Sequence, residues 1–252
     1  MRFASLGSGS RGNGTVVQHQ DTHVLIDCGF GYQDSVARLK RLGLNPDMLD
    51  AVVVTHEHSD HWSGVQALAS RHSIPVYASR GTWIEVGGDR IAEAIEVRGA
   101  FQVKELAIQP VTVPHDAREP IQCVFQAAGQ RLGILSDLGS VSAHVLEAFR
   151  ELDALSVEFN HDPELLQAGP YPAFLKRRVG GDYGHLNNAQ AEALVAAVCG
   201  SRLHTVVACH ISETNNEVRL VEAALNNALK SSKAERWVAS QADGMDWITV
   251  GS

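Results

Sequence analysis

Short apolar runs alternate with polar turns and amphipathic stretches along the whole chain. Phe3 to Leu6 reads as a strand, and Thr15 to Gln18 and His23 to Ile26 read as a pair turning at Gln20-Asp21. Asp34 is placed to cap a helix carrying Val36, Leu39 and Leu42 at helical spacing, with Gly43 as its stop. Ala51 to Val54 is a fully apolar strand, Val65, Leu68 and Ala69 mark a helix, and Ile74 to Ala78 is a further strand. Ile84 to Glu105 carry no clear period. Leu106 to Val113, Ile121 to Ala127 and Arg131 to Leu135 follow as successive strands, and Ser142 opens a helix through Val145, Leu146 and Phe149.

The second half keeps the same rhythm. Ala154 to Val157 is a strand, and Asn187 with Gln190 three residues on has capping-box spacing for a helix ending at Gly200. Val206 to Cys209 is a strand, and Thr214 with Glu217 has the same spacing before Val218, Val221, Leu225 and Leu229. Arg236 to Ala239 and Trp247 to Val250 close the chain. With no linker or low-complexity tract, the 252 residues read as one domain, 1–252. The repeated strand, polar turn and helix unit predicts an α/β fold with two sheets between outer helix layers.

Chemistry concentrates where strands end. The Ala51 strand runs into His56-Glu57-His58-Ser59-Asp60-His61, four side chains able to hold a metal within six residues. His56 and His58 are two apart, so on extended backbone both rings point the same way. His115, Asp137 and His210 each follow another strand, where catalytic groups of α/β folds gather. Counted as ligands these give two sites, with His56, His58 and His115 for one ion and Asp60, His61 and His210 for the other. Asp137 would bridge them. Three protein ligands plus a bridge leave room for water, as in a catalytic site. Asp27, ending the His23 strand, is ambiguous alone between a turn cap and a support to a ligand.

Composition narrows the field. The net charge of −8 argues against broad attraction to nucleic acid or membrane, and no apolar run nears the ~20 residues that span a bilayer. Cys28, Cys123, Cys199 and Cys209 form no CxxC pair and read as reduced, buried thiols. With an N-terminus lacking a long apolar stretch, the expected compartment is the cytoplasm. The glycine-rich Gly7 to Gly14 loop reads equally as a hairpin loop or a phosphate cradle, the latter using Ser10 and Asn13. His185 lies just before the Asn187 cap, at a helix start suited to phosphate, and is a candidate substrate contact or proton donor. His161, between Asn160 and Asp162, is a weaker candidate of the same kind. Lys176-Arg177-Arg178 is the one run of three basic residues and could track a nucleic-acid backbone. His19, His23, His72, His144 and His204 read as ordinary surface or core residues.

The set formed by HEHSDH, Val113-Pro114-His115-Asp116, Ser136-Asp137 and Cys209-His210 resembles the metallo-β-lactamase superfamily. Within it the chain is most similar to the YycJ (VicX, WalJ) family of bacterial hydrolases. Gly7 to Asn13, Glu158-Phe159-Asn160-His161-Asp162, Gly184-His185-Leu186-Asn187-Asn188 and His210 to Asn216 carry that likeness. Asn187 departs from the expected Ser, but both residues cap helices. The resemblance implies an αββα sandwich, a dinuclear metal site, Asp27 hydrogen-bonded to a ligand imidazole, and phosphodiester hydrolysis with DNA exonuclease activity. Two Zn²⁺ (or Mn²⁺ or Fe²⁺) with Asp60, Asp137 and a bridging hydroxide would leave a centre near about +1, which favours an anionic substrate such as DNA. A thioester or lactone hydrolase of the glyoxalase II kind uses the same metals but gains nothing from the basic run. A metal-bound regulatory protein has no reason to keep a complete ligand set.

Overall fold

The computed structural model describes residues 1–88 and 91–251. In chain order the strands are β1 (Arg2–Gly7), β2 (Gly14–His19), β3 (Thr22–Ile26), β4 (Ala51–Val53), β5 (Val76–Ser79), β6 (Ala94–Val97), β7 (Phe101–Val103), β8 (Leu106–Thr112), β9 (Ile121–Ala127), β10 (Gln130–Leu135), β11 (Ala154–Glu158), β12 (Thr205–Cys209), β13 (Glu235–Val238) and β14 (Met245–Thr249). The helices are α1 (Tyr32–Arg41), α2 (Ser59–Trp62), α3 (Val65–His72), α4 (Arg80–Val86), α5 (Ala143–Ala148), α6 (Pro163–Ala168), α7 (Ala173–Val179), α8 (Asn188–Val198) and α9 (Val218–Ala228).

The described residues form two seven-stranded sheets, ordered β14-β1-β2-β3-β4-β5-β6 and β13-β12-β11-β10-β9-β8-β7. Each sheet is half antiparallel and half parallel. The parallel runs are β3 to β6 in the first and β10 to β13 in the second. Alternation along the strands sorts the apolar side chains. Val24 and Ile26 of β3 meet Phe125 of β9 and Ile134 of β10 between the sheets, while Leu25 faces outward onto Leu39 of α1 and Leu68 of α3. On the far side, Leu155 of β11 and Val206 of β12 pack against Leu194 of α8 and Leu225 of α9. The result is the αββα sandwich expected from the sequence. Among the described residues, no helix is long and apolar enough to cross a membrane.

Several local expectations need correction. α1 begins after Gly31, and Asp34 lies in its first turn, paired with Arg38 instead of capping. The Thr214–Glu217 capping box does not form. Glu217 occupies the cap position without a side-chain bond, because Asn216 instead ties this loop to the exit of β11 through Phe159 O. The unpatterned stretch contains the end of α4 and the strands β6 and β7, which are short and mostly exposed. No element was expected where α6 and α7 lie. Cys28, Cys123 and Cys209 are buried free thiols, whereas Cys199 is half-buried.

Candidate metal centre and its cleft

One wall of the site is built on the exits of β3 and β4. Asp27 follows β3 with φ +59, a left-handed conformation few residues other than glycine adopt. From there its carboxylate accepts from Thr55 N and Thr55 Oγ1, both at 2.8 Å, and from His61 Nδ1 at 2.7 Å. With Nδ1 committed as donor, the His61 ring presents Nε2 inward, 3.4 Å from Asp60 Oδ2. The backbone of residues 27–30 presses directly beneath this loop. A Cβ on Gly29 would stand 1.7 Å from the Asp60 carbonyl oxygen, so only glycine fits. Asn13 locks the arrangement from the side, its Nδ2 donating to Asp60 Oδ2 at 3.2 Å.

The facing wall comes from the second sheet, one residue per strand exit. His115, beyond β8, donates from Nδ1 to Gly184 O at 2.9 Å, which leaves Nε2 3.3 Å from His58 Nδ1. Asp137 follows β10, with Oδ1 2.9 Å from His210 Nδ1 and Oδ2 3.2 Å from His61 Nε2. His210, beyond β12, is held at φ +47 by its backbone N–H bond to Ser8 Oγ. Glu158 ends β11, fully buried, and its Oε2 lies 3.0 Å from His185 Nδ1.

The donor atoms gather into overlapping groups, each within 4.8 Å: His56 with His58 and His115, Asp60 with His61 and His210, and Asp137 with His56 and His61. A fourth group joins Asp137, Glu158, His185 and His210. Two observations test their fit to cations. Among the described residues, the buried Asp137 Oδ2 makes no hydrogen bond although His61 Nε2 stands 3.2 Å away, a costly state for a carboxylate oxygen unless a cation joins them. The His56 Nε2 and His58 Nδ1 nitrogens sit 3.0 Å apart, a spacing suited to two lone pairs converging on one ion.

The electrostatics point the same way. Burial, reinforced by the neighbouring His61, drives the His56 imidazole well below its ordinary value and keeps it neutral. Burial also works to lower His61 and His210, but Asp137, together with Asp60, outweighs it and holds both well above the ordinary value. Burial opposes ionisation of Asp60, yet His61 and His210 depress its carboxyl far below the usual range. Buried carboxylates thus draw positive charge into the cluster, a role divalent cations fill. Nitrogen and oxygen donors without thiolates suit zinc, manganese or iron. His185, by contrast, is pushed down to about 4 by burial.

Beside this cluster opens a cleft of about 310 Å³ that exposes Ser10, Asp60, Tyr171, Arg178, His185 and His210. Asn13 does not reach it. It is buried behind Asp60 and serves the wall instead of the cleft. The basic run is divided: Arg178 enters the cleft and pairs with Asp116, while Lys176 and Arg177 lie with His161 around a separate cavity. Three polar residues of the site carried no assigned role in the sequence reading: Thr55, which fixes Asp27; Asp116, which links Arg178 to His58 and His115; and Glu158, which orients His185. For Glu158 the available signal was a carboxylate at a strand's carboxyl end.

A β-lactamase superfamily domain model matches residues 22–211, and that span contains every donor above. The chain belongs to the metallo-β-lactamase superfamily. It is 31% identical over 236 residues to exodeoxyribonuclease YycJ of Bacillus anthracis, covering 91% of this chain and 89% of that one. Exodeoxyribonuclease WalJ of Streptococcus pneumoniae is 29% identical, with 90% and 88% covered. These relatives place the chain in the YycJ/WalJ family, and it is a metal-dependent hydrolase. The metallo-β-lactamase fold protein YhfI from Bacillus subtilis superposes with a TM-score of 0.75 at 15% identity, covering 98% of this chain and 99% of that one. That likeness concerns the fold alone.

Proposed function

We propose that this superfamily member is a dinuclear phosphodiesterase that degrades DNA from an end, with His56, His58 and His115 holding one divalent ion and Asp60, His61 and His210 the other. The observation that carries the dinuclear reading is the buried Asp137 carboxylate, whose Oδ2 makes no hydrogen bond among the described residues and which lies within ligand distance of His56 and His61, one from each group. The nuclease reading is supported by the exodeoxyribonuclease names of relatives aligned over nine-tenths of the chain. Zinc is the favoured metal for this donor set, with manganese or iron as alternatives.

When bound, such ions supply Lewis acidity and lower the pKa of water they hold from ~15.7 to ~7. The protein's own residues do the rest. Asp27 fixes the His61 tautomer, so that Nε2 is the end offered to the centre. Glu158 accepts from His185 Nδ1, which aims Nε2 of that ring at the cleft, where the neutral ring takes up a second proton once an anionic phosphate stands beside it and gives that proton to the departing oxygen. Ser10 and Arg178 stand on the cleft walls, where an anionic substrate would pass. All these residues lie in one catalytic domain on this reading.

The test is metal analysis of the purified protein together with an activity panel on labelled DNA, labelled RNA, a small phosphodiester and a thioester. About two divalent ions per chain with shortening of DNA from its ends supports the proposal. Turnover of the thioester alone would transfer the site to a hydrolase of the glyoxalase II kind.

A further inference from the structure

α7 is a helix with no buried residue, and it stands between two cavities. Its Leu175 and Arg178 face the catalytic cleft. Its Lys176 and Arg177 face the second cavity, about 380 Å³, whose other wall includes His161 and Asn187. None of the described residues lining that cavity is acidic. His161 is 2% exposed, and its Nδ1 has no hydrogen-bond partner among the described residues. A buried ring nitrogen left without a partner is costly and uncommon. Arg177 forms no ion pair among the described residues, although the chain as a whole is strongly acidic. Two cations and a lining without carboxylates, closed in part by the His161 ring, describe a receptor for an anion.

We propose that this second cavity is a phosphate subsite, occupied by a phosphate of the substrate strand other than the one being cleaved. The idea rests on the nuclease reading of the neighbouring cleft. Lys176 and Arg177 contribute the charge, and the His161 ring forms part of the wall. A helix with its side chains is about 10 Å across, so the two cavities are separated by roughly two to three nucleotide steps of a strand crossing α7. The ligand class is therefore a phosphate monoester or diester carried by a chain of several nucleotides. The source is either a strand end or the continuous backbone.

The experiment compares wild type with Lys176→Ala/Arg177→Ala, and separately with Arg177→Glu, on a dinucleotide and on ten-nucleotide DNA bearing 5′-phosphate, 5′-hydroxyl or 3′-phosphate ends. The ratio of kcat/KM for the ten-nucleotide strand to that for the dinucleotide should fall about 10- to 100-fold in the double variant. The slope of log affinity against log salt should flatten by about 1.4 to 1.8 for two lost phosphate contacts. Loss confined to one phosphorylated end assigns a terminal phosphate, and equal loss on all three assigns the backbone. An unchanged ratio and salt slope in both variants would overturn the subsite while leaving the nuclease reading intact. A wild-type protein that neither binds nor shortens any of these strands yet hydrolyses a small phosphodiester would overturn the nuclease reading itself, and the subsite with it.

Discussion

Besides the strand exits of the second sheet, the catalytic cleft is bounded by two elements made in opposite ways. The first, from Asp27 and the His56–His61 loop, buries Asp27, His56 and His61 and fastens them with short bonds. Asp27 makes three short bonds, Asn13 braces Asp60, and the backbone of Gly29 leaves no space beneath. The second, α7, buries nothing and touches the site mainly through Arg178 and its pair with Asp116. A fixed wall keeps donor atoms within a fraction of an ångström, as metal chemistry requires. A loosely held one can follow the changing path of a polymer. Substitutions should therefore act through metal and rate on the first wall, and through substrate affinity on the second.

The largest effect is expected where the fixed wall meets the second sheet. Asp137→Ala should abolish detectable activity and lower bound metal from about two ions per chain to one or none, since the carboxylate serves both groups. Asp137→Asn guards against misfolding as the cause. Full metal occupancy with activity in either variant would sink the proposed centre, as would activity that survives exhaustive chelation.

Next comes His185, which stands between the walls. His185→Ala should lower kcat on DNA by roughly 10²–10⁴ with metal content unchanged, the span of a general acid. Glu158→Gln should lower kcat in the same direction, because the ring loses its fixed tautomer. A drop in bound metal for His185→Ala would instead make His185 a ligand, in line with its place beside Asp137 and His210.

A smaller loss should follow at the base of the fixed wall. Asp27→Ala leaves every inferred ligand in place but releases the His61 ring, and should cost about 10–100-fold in metal affinity or activity. Equilibrium dialysis against a competing chelator reads this directly, and unchanged affinity would deprive Asp27 of its role. The smallest effect belongs to α7. Arg178→Ala should raise KM for DNA by about tenfold, the worth of one charged hydrogen bond, with kcat nearly constant. A fall in kcat with KM constant would move Arg178 from substrate binding to the reaction itself.

The same contrast governs what could be read from the sequence. HEHSDH was legible because four donors lie within six residues, directly after an unbroken apolar strand. The strands and the αββα layering were legible because alternation and helical spacing survive in their apolar positions. Glu158 carries no such density. It meets His185, 27 positions further along, only after the chain between them has folded back on it. Asn13 looked like part of a phosphate cradle, since glycines signal an exposed loop, but its side chain turns inward onto Asp60. α6 and α7 escaped notice because they span six and seven residues, start at or just after a proline and bury almost nothing, which erases the periodicity that marks a helix. The split of the basic run between two cavities follows from helix geometry and was equally invisible in a linear list.

Asp27 and His210 both hold left-handed backbone, and that has a consequence for anyone who would engineer this chain for heat tolerance. Glycine would relax each position, a gain on the order of 1 kcal/mol apiece. Yet Asp27→Gly would strand Thr55 N, Thr55 Oγ1 and His61 Nδ1, and His210→Gly would strand the buried Asp137 carboxylate, at about 1–3 kcal/mol for each group, so the backbone strain persists because the same side chains serve both stability and chemistry.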